Sequence, residues 1–548
     1  MADAADVDIK IESRTMYAKI VKATKWTSIL LVVVALVLLS IRIYDSQRGP
    51  PLAAWHTHVP QELSVAQLDA SDWNGYLDHE RKIFEDLRTA VTQRLGADER
   101  LPLNRYFAGS QIYPGRFAQD FNRSYILEPN GPPVGAVVLL HGLTDSPYSQ
   151  RHIARYYRDH GFVAVVIRLP GHGTVPAGLV DAQWEDWMAA TRLAVREARR
   201  RAPAPAPLHL VGFSNGGALS VKYALDSLAD PKLPRVDRIV LLSPMIGITR
   251  FARFAGLASL PALLPAFAEA AWLAIVPEFN PFKYNSFPVN GGVQSHRLTQ
   301  VLQREIALYE RSGKISDLPP IITFQSVMDF TVTTAIITAL YEHLPPNGSE
   351  LVLFDVNRTV KFGALLRPSA DTALSRLLPQ RARNYRTTII TNADSPNGQE
   401  IERRTEPGET TGTDRPLGVA YPEGLYSLSH VALPFPMTDS LYGLTPDPTE
   451  DFGLHLGSLA PRGERNVLIA SLDSLLRASS NPFFGYMIDR IGEGIEHRET
   501  AANNAATPPA PAAGTVPDED VGDWNVRNTI SAISRFLRGK HDDTDEPP

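Results

Sequence analysis

Short apolar runs alternate with helix-like segments through the middle of the chain, and this rhythm restricts the folds open to it. Each run is short, rich in β-forming residues and bounded by turn residues, as is typical of strands buried on both faces. The runs are 136–140, 163–167, 208–211, 238–242, 321–325 and 350–354. Between them lie helix-like segments at 148–160, 183–200, 216–229 and 331–344. The pattern predicts an α/β fold, a mostly parallel sheet with helices on both faces.

The pentapeptide Gly212-Phe213-Ser214-Asn215-Gly216 directly follows one of these runs and precedes a helix-like segment. It matches G-x-S-x-G, in which the flanking glycines let the backbone pass through a strained strand-to-helix turn that presents the serine hydroxyl. The alternative is an ordinary glycine-rich βα turn. The position between a strand and a helix favours Ser214 as a nucleophile, with Gly212 and Gly216 as the glycines of the turn.

A serine nucleophile needs a histidine as base and an acid that orients the histidine, and both are expected later in the chain. Asp329 follows the run 321–325, where the carboxyl end of a parallel strand would place it among catalytic residues. The alternative role is a helix N-cap for the residues from Thr331, and one side chain can serve both purposes. Asp355, after the next run, is the reserve acid.

The choice of base is less direct, because the chain has 14 histidines. His430 lies in a loop-like stretch flanked by apolar residues and is the predicted base, with His455 as the fallback. His343 lies in a helix-like segment, and His497 and His541 lie in or near the polar tail, so these three fit poorly. A lone histidine is more often structural than catalytic, which keeps the fallback open.

The tripeptide His141-Gly142-Leu143 closes the first run, at the carboxyl end of a strand, where a second oxyanion donor for a serine on a strand-to-helix turn is expected. We predict that the backbone N–H groups of Leu143 and Asn215 form the oxyanion hole. A His-Gly pair after a strand is commonly structural, so this interpretation depends on the serine motif downstream. His141 itself is predicted to brace the loop.

Several segments taken together are similar to those of one known family. They are Leu140-His-Gly-Leu143, Arg168-Leu-Pro-Gly-His-Gly173, 184–187, Gly212-Phe-Ser-Asn-Gly216 and Ser326-Val-Met-Asp329. This set resembles the α/β-hydrolase branch of bacterial carboxylesterases, monoglyceride lipases and lysophospholipases, over about 135–344 plus His430. The resemblance implies ester hydrolysis through an acyl-enzyme and a cap after the strand that ends at Leu242. The chain departs from the family in a long insertion before His430, and His172 is similar to a family loop residue outside the triad.

The stretch 26–41 carries no charge and is bounded by Lys25 and Arg42, which predicts a short membrane span. A buried core helix should show a polar face, and a cleaved signal peptide should be followed by a small-x-small site; the stretch has neither. Five basic residues precede the span and two follow closely, so the positive-inside rule places the N-terminus in the cytoplasm. We therefore expect a single-pass protein of the inner (plasma) membrane whose catalytic domain is periplasmic or otherwise extracytoplasmic.

The remaining organisation follows from composition and turn residues. We predict a cytoplasmic segment at 1–25, an anchor at 26–44, and a linker with a leading helix at 45–104, in which 50–60 is the linker and 71–95 has helical spacing. The hydrolase domain is expected at 105–500, with a helical cap at about 245–300 and an inserted loop region at about 359–424 that includes a strand at 387–391. The tail 501–548 is Ala/Pro-rich and predicted to be disordered, with a short terminal helix.

The net charge and the cysteine content limit the partners and cofactors that the chain can have. A net charge of −6 over 548 residues offers no basic stripe for nucleic acid, and a chain without cysteine has neither a disulfide framework nor a cysteine zinc site. We expect no metal and no cofactor, and the oligomeric state stays open.

The expected function is hydrolysis of a hydrophobic or lipid-like ester by a membrane-anchored enzyme. Apolar cap residues such as Phe251, Phe254 and Leu257 suggest an acyl-chain tunnel, and the alternative is an ordinary cap core. Two rival functions stay open: acyl transfer to an alcohol by the same triad, and ligand binding by a hydrolase-like protein without catalysis.

Overall fold

The computed structural model describes residues 2–247, 260–329, 331–332, 334–359, 373–378, 380–393, 399–422, 424–457 and 479–506. The chain divides into two units, Met1–Ile495 and Glu496–Pro548. The first unit contains the sheet and the candidate site. In the second unit the described residues, 496–506, are helical. The predicted terminal helix at 524–537 and the cap residues 251–257 lie outside the described residues.

Twelve strands are present in the described residues. They are β1 (Tyr125–Leu127), β2 (Gly135–Leu140), β3 (Phe162–Ile167), β4 (Leu208–Phe213), β5 (Arg238–Leu242), β6 (Trp272–Ala274), β7 (Phe287–Pro288), β8 (Ile321–Ser326), β9 (Glu350–Phe354), β10 (Arg386–Asn392), β11 (Glu400–Thr405) and β12 (Thr413–Pro416). All six predicted runs form strands. β6 and β7 form a separate two-stranded ribbon.

Twelve α-helices accompany these strands in the same part of the chain. They are α1 (Ala2–Gln47), α2 (Ala54–Thr57), α3 (Val65–Ala70), α4 (Trp73–Ala90), α5 (Arg151–Asp159), α6 (Gly178–Asp181), α7 (Trp184–Arg201), α8 (Asn215–Ala229), α9 (Val289–Arg311), α10 (Thr334–Glu342), α11 (Ala373–Leu377) and α12 (Phe484–Ala506). Short 3₁₀ helices at Leu260–Leu263 and Pro265–Ala271 lie between β5 and β6.

Ten strands form one sheet in the order β1-β3-β2-β4-β5-β8-β9-β10-β11-β12. The seven strands from β3 to β10 in this order are parallel, whereas β1, β11 and β12 are antiparallel to their neighbours. The predicted mostly parallel sheet is confirmed. The chain leaves β2 toward one side of the sheet and returns to β4 on the other, so the loops after β2 and β4 meet at the switch point where sites of open α/β sheets form.

Each face of the sheet carries its own hydrophobic core, because alternate side chains of a strand point to opposite faces. On one face Val138, Leu210 and Leu241 pack with Trp187 of α7 and Leu219 of α8. On the other face the strands pack against α5 and the start of α12, through residues that include Ile153, Tyr157, Met487 and Ile491. A sheet covered on both faces is rigid, and its loops can hold side chains at fixed distances.

The inserted region at 359–424 differs from the loop that we predicted. The predicted strand at 387–391 lies within β10, and β11 and β12 continue the sheet beyond it by antiparallel pairing. The polar composition of β11 and β12 explains the difference, because all four residues of β12 are exposed and no apolar run marks such strands. The insertion therefore widens the sheet at one edge.

The predicted linker at 50–60 is a packed segment. Helix α2 lies within it, and its Trp55 and His56 are buried. The Trp55 ring stacks on Tyr106 at 5.3 Å between centroids, and His56 Nε2 lies 3.0 Å from the Ser286 hydroxyl. These partners are distant in sequence, so composition gave no indication of them. The predicted leading helix corresponds to α4, whose N-cap Asp72 accepts a hydrogen bond from the Gly75 N–H.

The helix α1 includes the 27 residues Val21–Gln47, in which an 18-residue window has a mean hydropathy of 2.4 and no buried residue. This segment is long and apolar enough to cross a membrane, and a signal sequence near an N-terminus would satisfy the same criteria. Its C-terminal end contacts the region between β5 and β6. The Arg42 guanidinium donates to the carbonyls of Ala270 and Trp272, and Gln47 Nε2 donates to the Ala266 carbonyl at 3.1 Å.

Candidate active site

Ser214 occupies a sharp turn between β4 and α8, with φ of 53° and ψ of −114°. A non-glycine residue rarely adopts a positive φ, and here the turn is held by hydrogen bonds from the Ser214 N–H to the Leu242 carbonyl and from the Met245 N–H to the Ser214 carbonyl. Both glycines are needed because the backbone is crowded: a Cβ on Gly212 would clash with the Gly216 carbonyl, and one on Gly216 would clash with the Leu140 carbonyl.

The fold brings together the three side chains that we predicted as a triad. His430 Nε2 lies 3.0 Å from Ser214 Oγ, and His430 Nδ1 lies 2.8 Å from Asp329 Oδ2. Ser214 follows β4 and Asp329 follows β8, while His430 lies on the loop region between β12 and α12 with its ring against Phe213. With the Asp329 carboxylate accepting from Nδ1–H, the Nε2 lone pair faces the serine hydroxyl, which is the tautomer that a base requires.

Asp329 is held from several sides. Its Oδ1 accepts from the backbone N–H groups of Thr331 and Val332. These residues form a turn before α10, which begins at Thr334, so Asp329 caps this turn and is not the helix N-cap that we predicted. Its Oδ2 also accepts from Gln325 Nε2 at 3.0 Å. Burial opposes ionisation, but the charge and hydrogen bond of His430 outweigh it and hold the pKa of Asp329 below its usual value. The carboxylate therefore stays charged beside the imidazole.

The segments that carry the two predicted oxyanion donors, Leu143 and Asn215, lie next to Ser214. Asn215 begins α8, and a Cβ on Gly142 would lie 3.3 Å from Ser214 Cβ, which places the loop after β2 beside the serine. Among the described residues neither N–H group has a hydrogen-bond acceptor. Two N–H groups without acceptors near a serine hydroxyl can bind a developing negative charge.

His141 braces the loop from its base. Burial lowers the pKa of His141 to about 3, so the ring is neutral. Its Nδ1 lies 2.9 Å from the Gly142 carbonyl and its Nε2 accepts from the Leu169 N–H at 3.0 Å, which links the loops after β2 and β3. His172 packs edge-on against His141, at 5.0 Å between centroids. Neither histidine contacts Ser214.

The reserve residues lie elsewhere. The Asp355 carboxylate pairs with Arg358 and accepts from the Thr391 hydroxyl at 3.0 Å, at the side of the sheet extended by β10. His455 Nδ1 lies 2.9 Å from the Ser440 carbonyl. His343 pairs with Glu310. His497 and His541 fall in residues whose side chains are not described.

Sequence reasoning missed three residues that support the site: Gln325, Ser295 and Asp439. Gln325 points from β8 to Asp329, and the Ser295 hydroxyl on α9 donates to Asn215 Oδ1 at 3.1 Å. The only sequence feature that could have indicated a role for Gln325 is its position as a polar residue at the end of an apolar run. Ser295 is 80 positions from its partner, so no local pattern could have identified it.

Asp439 anchors the region that follows His430. Its buried carboxylate accepts from Arg151 Nη2 at 2.8 Å, from the Tyr148 hydroxyl at 3.0 Å and from its own loop at Leu441 and Tyr442, and it lies 2.8 Å from His152 Nε2. Burial opposes ionisation, but the His152 hydrogen bond and the Arg151 charge hold the pKa of Asp439 far below its usual range. The loop carrying His430 is thus tied to α5.

The reacting side chains are largely buried: Ser214 is 4% exposed, and the His430 side chain is 11% exposed. Ser214 does not line either of two cavities in the described residues: one of about 350 Å³ beside α4, and one of about 500 Å³ lined by residues that include Gly247, His296 and Ile336. Among the described residues, no group of three His, Cys, Asp or Glu side chains is placed to hold a metal ion.

The sheet, the serine turn and the Ser–His–Asp arrangement define an α/β-hydrolase. The chain has the α/β-hydrolase fold, and its residues 131–356, less than half of the chain, match the family described as "Serine aminopeptidase, S33". His430 lies outside the matched residues.

Comparison with individual proteins gives shorter or weaker similarities. The chain is 34% identical over 95 residues to the thermostable monoacylglycerol lipase of Bacillus sp. (strain H-257), a match that covers 17% of this chain and 36% of that lipase. Among solved structures, a metagenome-derived lipolytic enzyme of the LipS and LipT study is 20% identical, with 47% of this chain and 97% of that chain covered and a TM-score of 0.35. A soluble variant of monoglyceride lipase from Saccharomyces cerevisiae is 17% identical over 42% of this chain and 81% of its own, with a TM-score of 0.33.

Proposed function

We propose that the chain is a membrane-anchored serine hydrolase that cleaves a hydrophobic carboxylic ester through an acyl-enzyme. The observation that carries the proposal is the pair of distances at His430, 3.0 Å to Ser214 Oγ and 2.8 Å to Asp329 Oδ2. A serine hydroxyl is a poor nucleophile at neutral pH, and an imidazole oriented in this way can accept its proton as the hydroxyl attacks.

The steps follow from these three side chains. The Ser214 proton passes to His430 Nε2 while Oγ bonds to the ester carbonyl carbon, and the N–H groups of Leu143 and Asn215 bind the resulting oxyanion. His430 then returns the proton to the alcohol oxygen as the C–O bond breaks, which leaves the acyl group on Ser214. A water molecule repeats the sequence: it gives a proton to His430, attacks the acyl carbon, and releases the carboxylic acid and free Ser214. Asp329 stabilises the imidazolium formed in each half.

A lipid-like ester is the proposed substrate class. The cap region contacts the end of the proposed membrane anchor through Arg42 and Gln47, and the same region exposes apolar side chains, with Leu264 60% and Leu273 48% exposed. Apolar side chains next to a bilayer surface favour a substrate that partitions into lipid. The monoacylglycerol lipase relative makes a monoacylglycerol the first compound to test.

The anchor and its orientation are part of this proposal. The uncharged stretch of α1 and the excess of lysine and arginine before it support a single-pass protein of the plasma membrane, with a cytoplasmic N-terminus and the hydrolase domain on the other side. The predicted domain limits are also proposals: residues 105–500 for the hydrolase body and 359–424 for its insertion.

Labelling with a fluorophosphonate tests the nucleophile and its base. We expect wild-type protein and His455→Ala to be labelled, Ser214→Ala to be unlabelled and His430→Ala to be labelled far more slowly. Equal labelling of Ser214→Ala would discard the assignment. A p-nitrophenyl ester series should show higher kcat/KM for medium or long acyl chains than for acetate, and product analysis with added glycerol distinguishes hydrolysis from acyl transfer.

A further inference from the structure

A cavity of about 350 Å³ lies beside α4, outside the candidate active site. Arg81, Phe84, Leu87 and Arg88 of α4 form one wall, since residues three and four apart share a helix face. The other walls come from segments around Arg105–Tyr106, Tyr113–Gly115, 120–123 and 173–174. None of these residues takes part in the proposed reaction.

Arg105 is the buried cation of this cavity. The residue is 2% exposed, and its Nη2 donates to Asn122 Oδ1 at 2.9 Å. Its Nη1 is also buried and has no hydrogen-bond partner among the described residues. A buried guanidinium nitrogen without an acceptor is costly, because desolvation is not compensated. An acceptor supplied by a ligand in the cavity would satisfy it.

The charges around the cavity favour an anionic ligand. Four guanidinium groups line it, against the carboxylates of Glu85 and Asp120. Asp120 already pairs with Arg123 and accepts from Asn122, and Arg81 pairs with Asp78 outside the cavity.

Two guanidinium groups remain without a carboxylate partner. Within the part of the chain that the structure describes, neither Arg88 nor Arg105 forms an ion pair. The Glu278 carboxylate interacts electrostatically with Arg105, but its hydrogen bonds are accepted from the backbone N–H groups of Asn285 and Ser286. Two unpaired guanidinium groups and a lining excess of two positive charges match the charge and the several acceptor oxygens of a phosphate group.

We propose that this cavity is a second ligand site that binds a phosphate group through Arg105 and Arg88. The aromatic and aliphatic walls, Phe84, Leu87, Tyr106 and Tyr113, suit the organic part of a phosphate ester. Trp55, which stacks on Tyr106, lies eight residues after the end of α1, so a phospholipid headgroup and a water-soluble phosphate ester are both sources of the same group. The site is independent of the proposed ester hydrolysis.

Calorimetric titration of the full-length protein in non-ionic detergent tests this site. The Ser214→Ala background prevents turnover, and sodium chloride keeps the ionic strength constant because salt screens charge. The probes are inorganic phosphate, glycerol 3-phosphate, 1-acylglycerol 3-phosphate and the matching 1-acylglycerol, which lacks the phosphate. We expect the three phosphates to bind at one site and the 1-acylglycerol to bind there at least tenfold more weakly.

Substitutions assign the site to the two arginines. Arg88→Gln should weaken phosphate binding about tenfold, the effect of losing one charged hydrogen bond. Arg105→Gln should abolish it, and Arg311→Gln, an exposed arginine at the end of α9, should leave it unchanged. If Arg105→Gln does not fold, Arg88→Gln and Arg105→Lys test the assignment instead. Arg105→Lys should weaken phosphate binding, because lysine keeps the charge and loses the planar guanidinium.

Two results would overturn the proposal: no binding of any phosphate probe, or equal affinities in the Arg88 and Arg311 variants. Tighter binding of the acylated phosphate than of glycerol 3-phosphate supports a lipid headgroup as the source, and equal binding supports a soluble ester. Fluorophosphonate labelling of Ser214 is unaffected in either case, so the failure of this proposal is distinguishable from failure of the proposed hydrolase.

Discussion

Ser295 on α9 donates a hydrogen bond of 3.1 Å to the side chain of Asn215, the residue that follows the proposed nucleophile. Both residues are buried, and α9 directly follows the β6–β7 ribbon of the cap region. The bond fixes the first turn of α8 to the helix that ends the cap. The position of one proposed oxyanion donor therefore depends on a residue far from the serine motif.

Replacing Ser295 by alanine should lower kcat more than it changes KM. A neutral hydrogen bond contributes about 1 kcal/mol, so a fall of about fivefold in kcat is expected if the bond positions the Asn215 N–H. Steady-state kinetics with a p-nitrophenyl ester measures this. Ser312→Ala, at the exposed end of the same helix, is the control and should behave as wild type; equal kinetics in both variants would remove the positioning role.

Asp329→Asn and Asp355→Asn should separate the two candidate acids. The first removes the charge beside His430 and should lower kcat by about 10⁴-fold, the loss seen when a triad acid is neutralised in a serine protease. The second removes the partner of Arg358 and should reduce stability with little effect on kcat. If kcat falls more in the Asp355 variant, the acid is assigned to the wrong strand.

Gly216→Ala should destabilise the protein by about 2–3 kcal/mol, since the added methyl would clash with the Leu140 backbone, which cannot move without disturbing the sheet. Gly485→Ala is a matched control, because nothing lies within 4 Å of a Cβ there and the residue is helical. Denaturant unfolding should show the control at or slightly above wild-type stability. A Gly216→Ala protein as stable as the control would contradict the crowding.

Acid should weaken the attachment of the His430 loop. Burial opposes ionisation of Glu450, but Arg151 and Arg155 lower its pKa to about 2. A carboxyl whose folded pKa is below its unfolded value near 4.5 adds stability above pH 4.5, and that stability is lost as pH falls toward 2. Glu450→Gln should therefore reduce stability at pH 7 and flatten its pH dependence between about 4.5 and 2. Thermal melts across this range measure the slope, and an unchanged slope would show that the pairing contributes nothing.

The absence of cysteine from the sequence makes the membrane orientation directly measurable. Single cysteines at Ser13 and at Ser316, which is exposed on the body, can be treated with an impermeant maleimide in intact cells or, for a Gram-negative host, in spheroplasts. In intact cells or spheroplasts we expect labelling of the cysteine at position 316 only. The cysteine at position 13 should be labelled only after the cells are lysed. Labelling at 13 in intact cells would reverse the proposed topology. A variant lacking residues 1–47 should leave the membrane fraction.

The parts of the fold that could be predicted are those whose physical cause is local. Strands buried on both faces need continuous apolar runs, so β2, β4 and β8 were visible in the sequence, and the serine turn needs glycines at fixed positions. The edge strands β11 and β12 carry polar side chains and gave no such signal. The sequence places Trp55 in a linker because its stacking partner Tyr106 lies 51 residues away, and only the folded chain brings the two rings together.

The residues of the candidate site also fall into those that a local motif predicts and those that depend on distant partners. Ser214, Leu143 and Asn215 follow from motifs within a few residues. Asp329 could be located by the strand before it, but its contact with His430 spans 101 residues and depends on the whole sheet. Ser295, Gln325 and Asp439 act through partners that no spacing rule connects to them.

The sheet ends at β12, where Thr413, Asp414, Arg415 and Pro416 are all exposed. Arg415 and Asp414 are engaged with Glu402 and Arg403 of the neighbouring strand, and the proline has no N–H to offer. An outer strand of this kind is a poor template for strand addition by a neighbouring molecule. If the proposed anchor confines the copies to one bilayer, they would collide often, and this strand should keep them from joining edge to edge into aggregates.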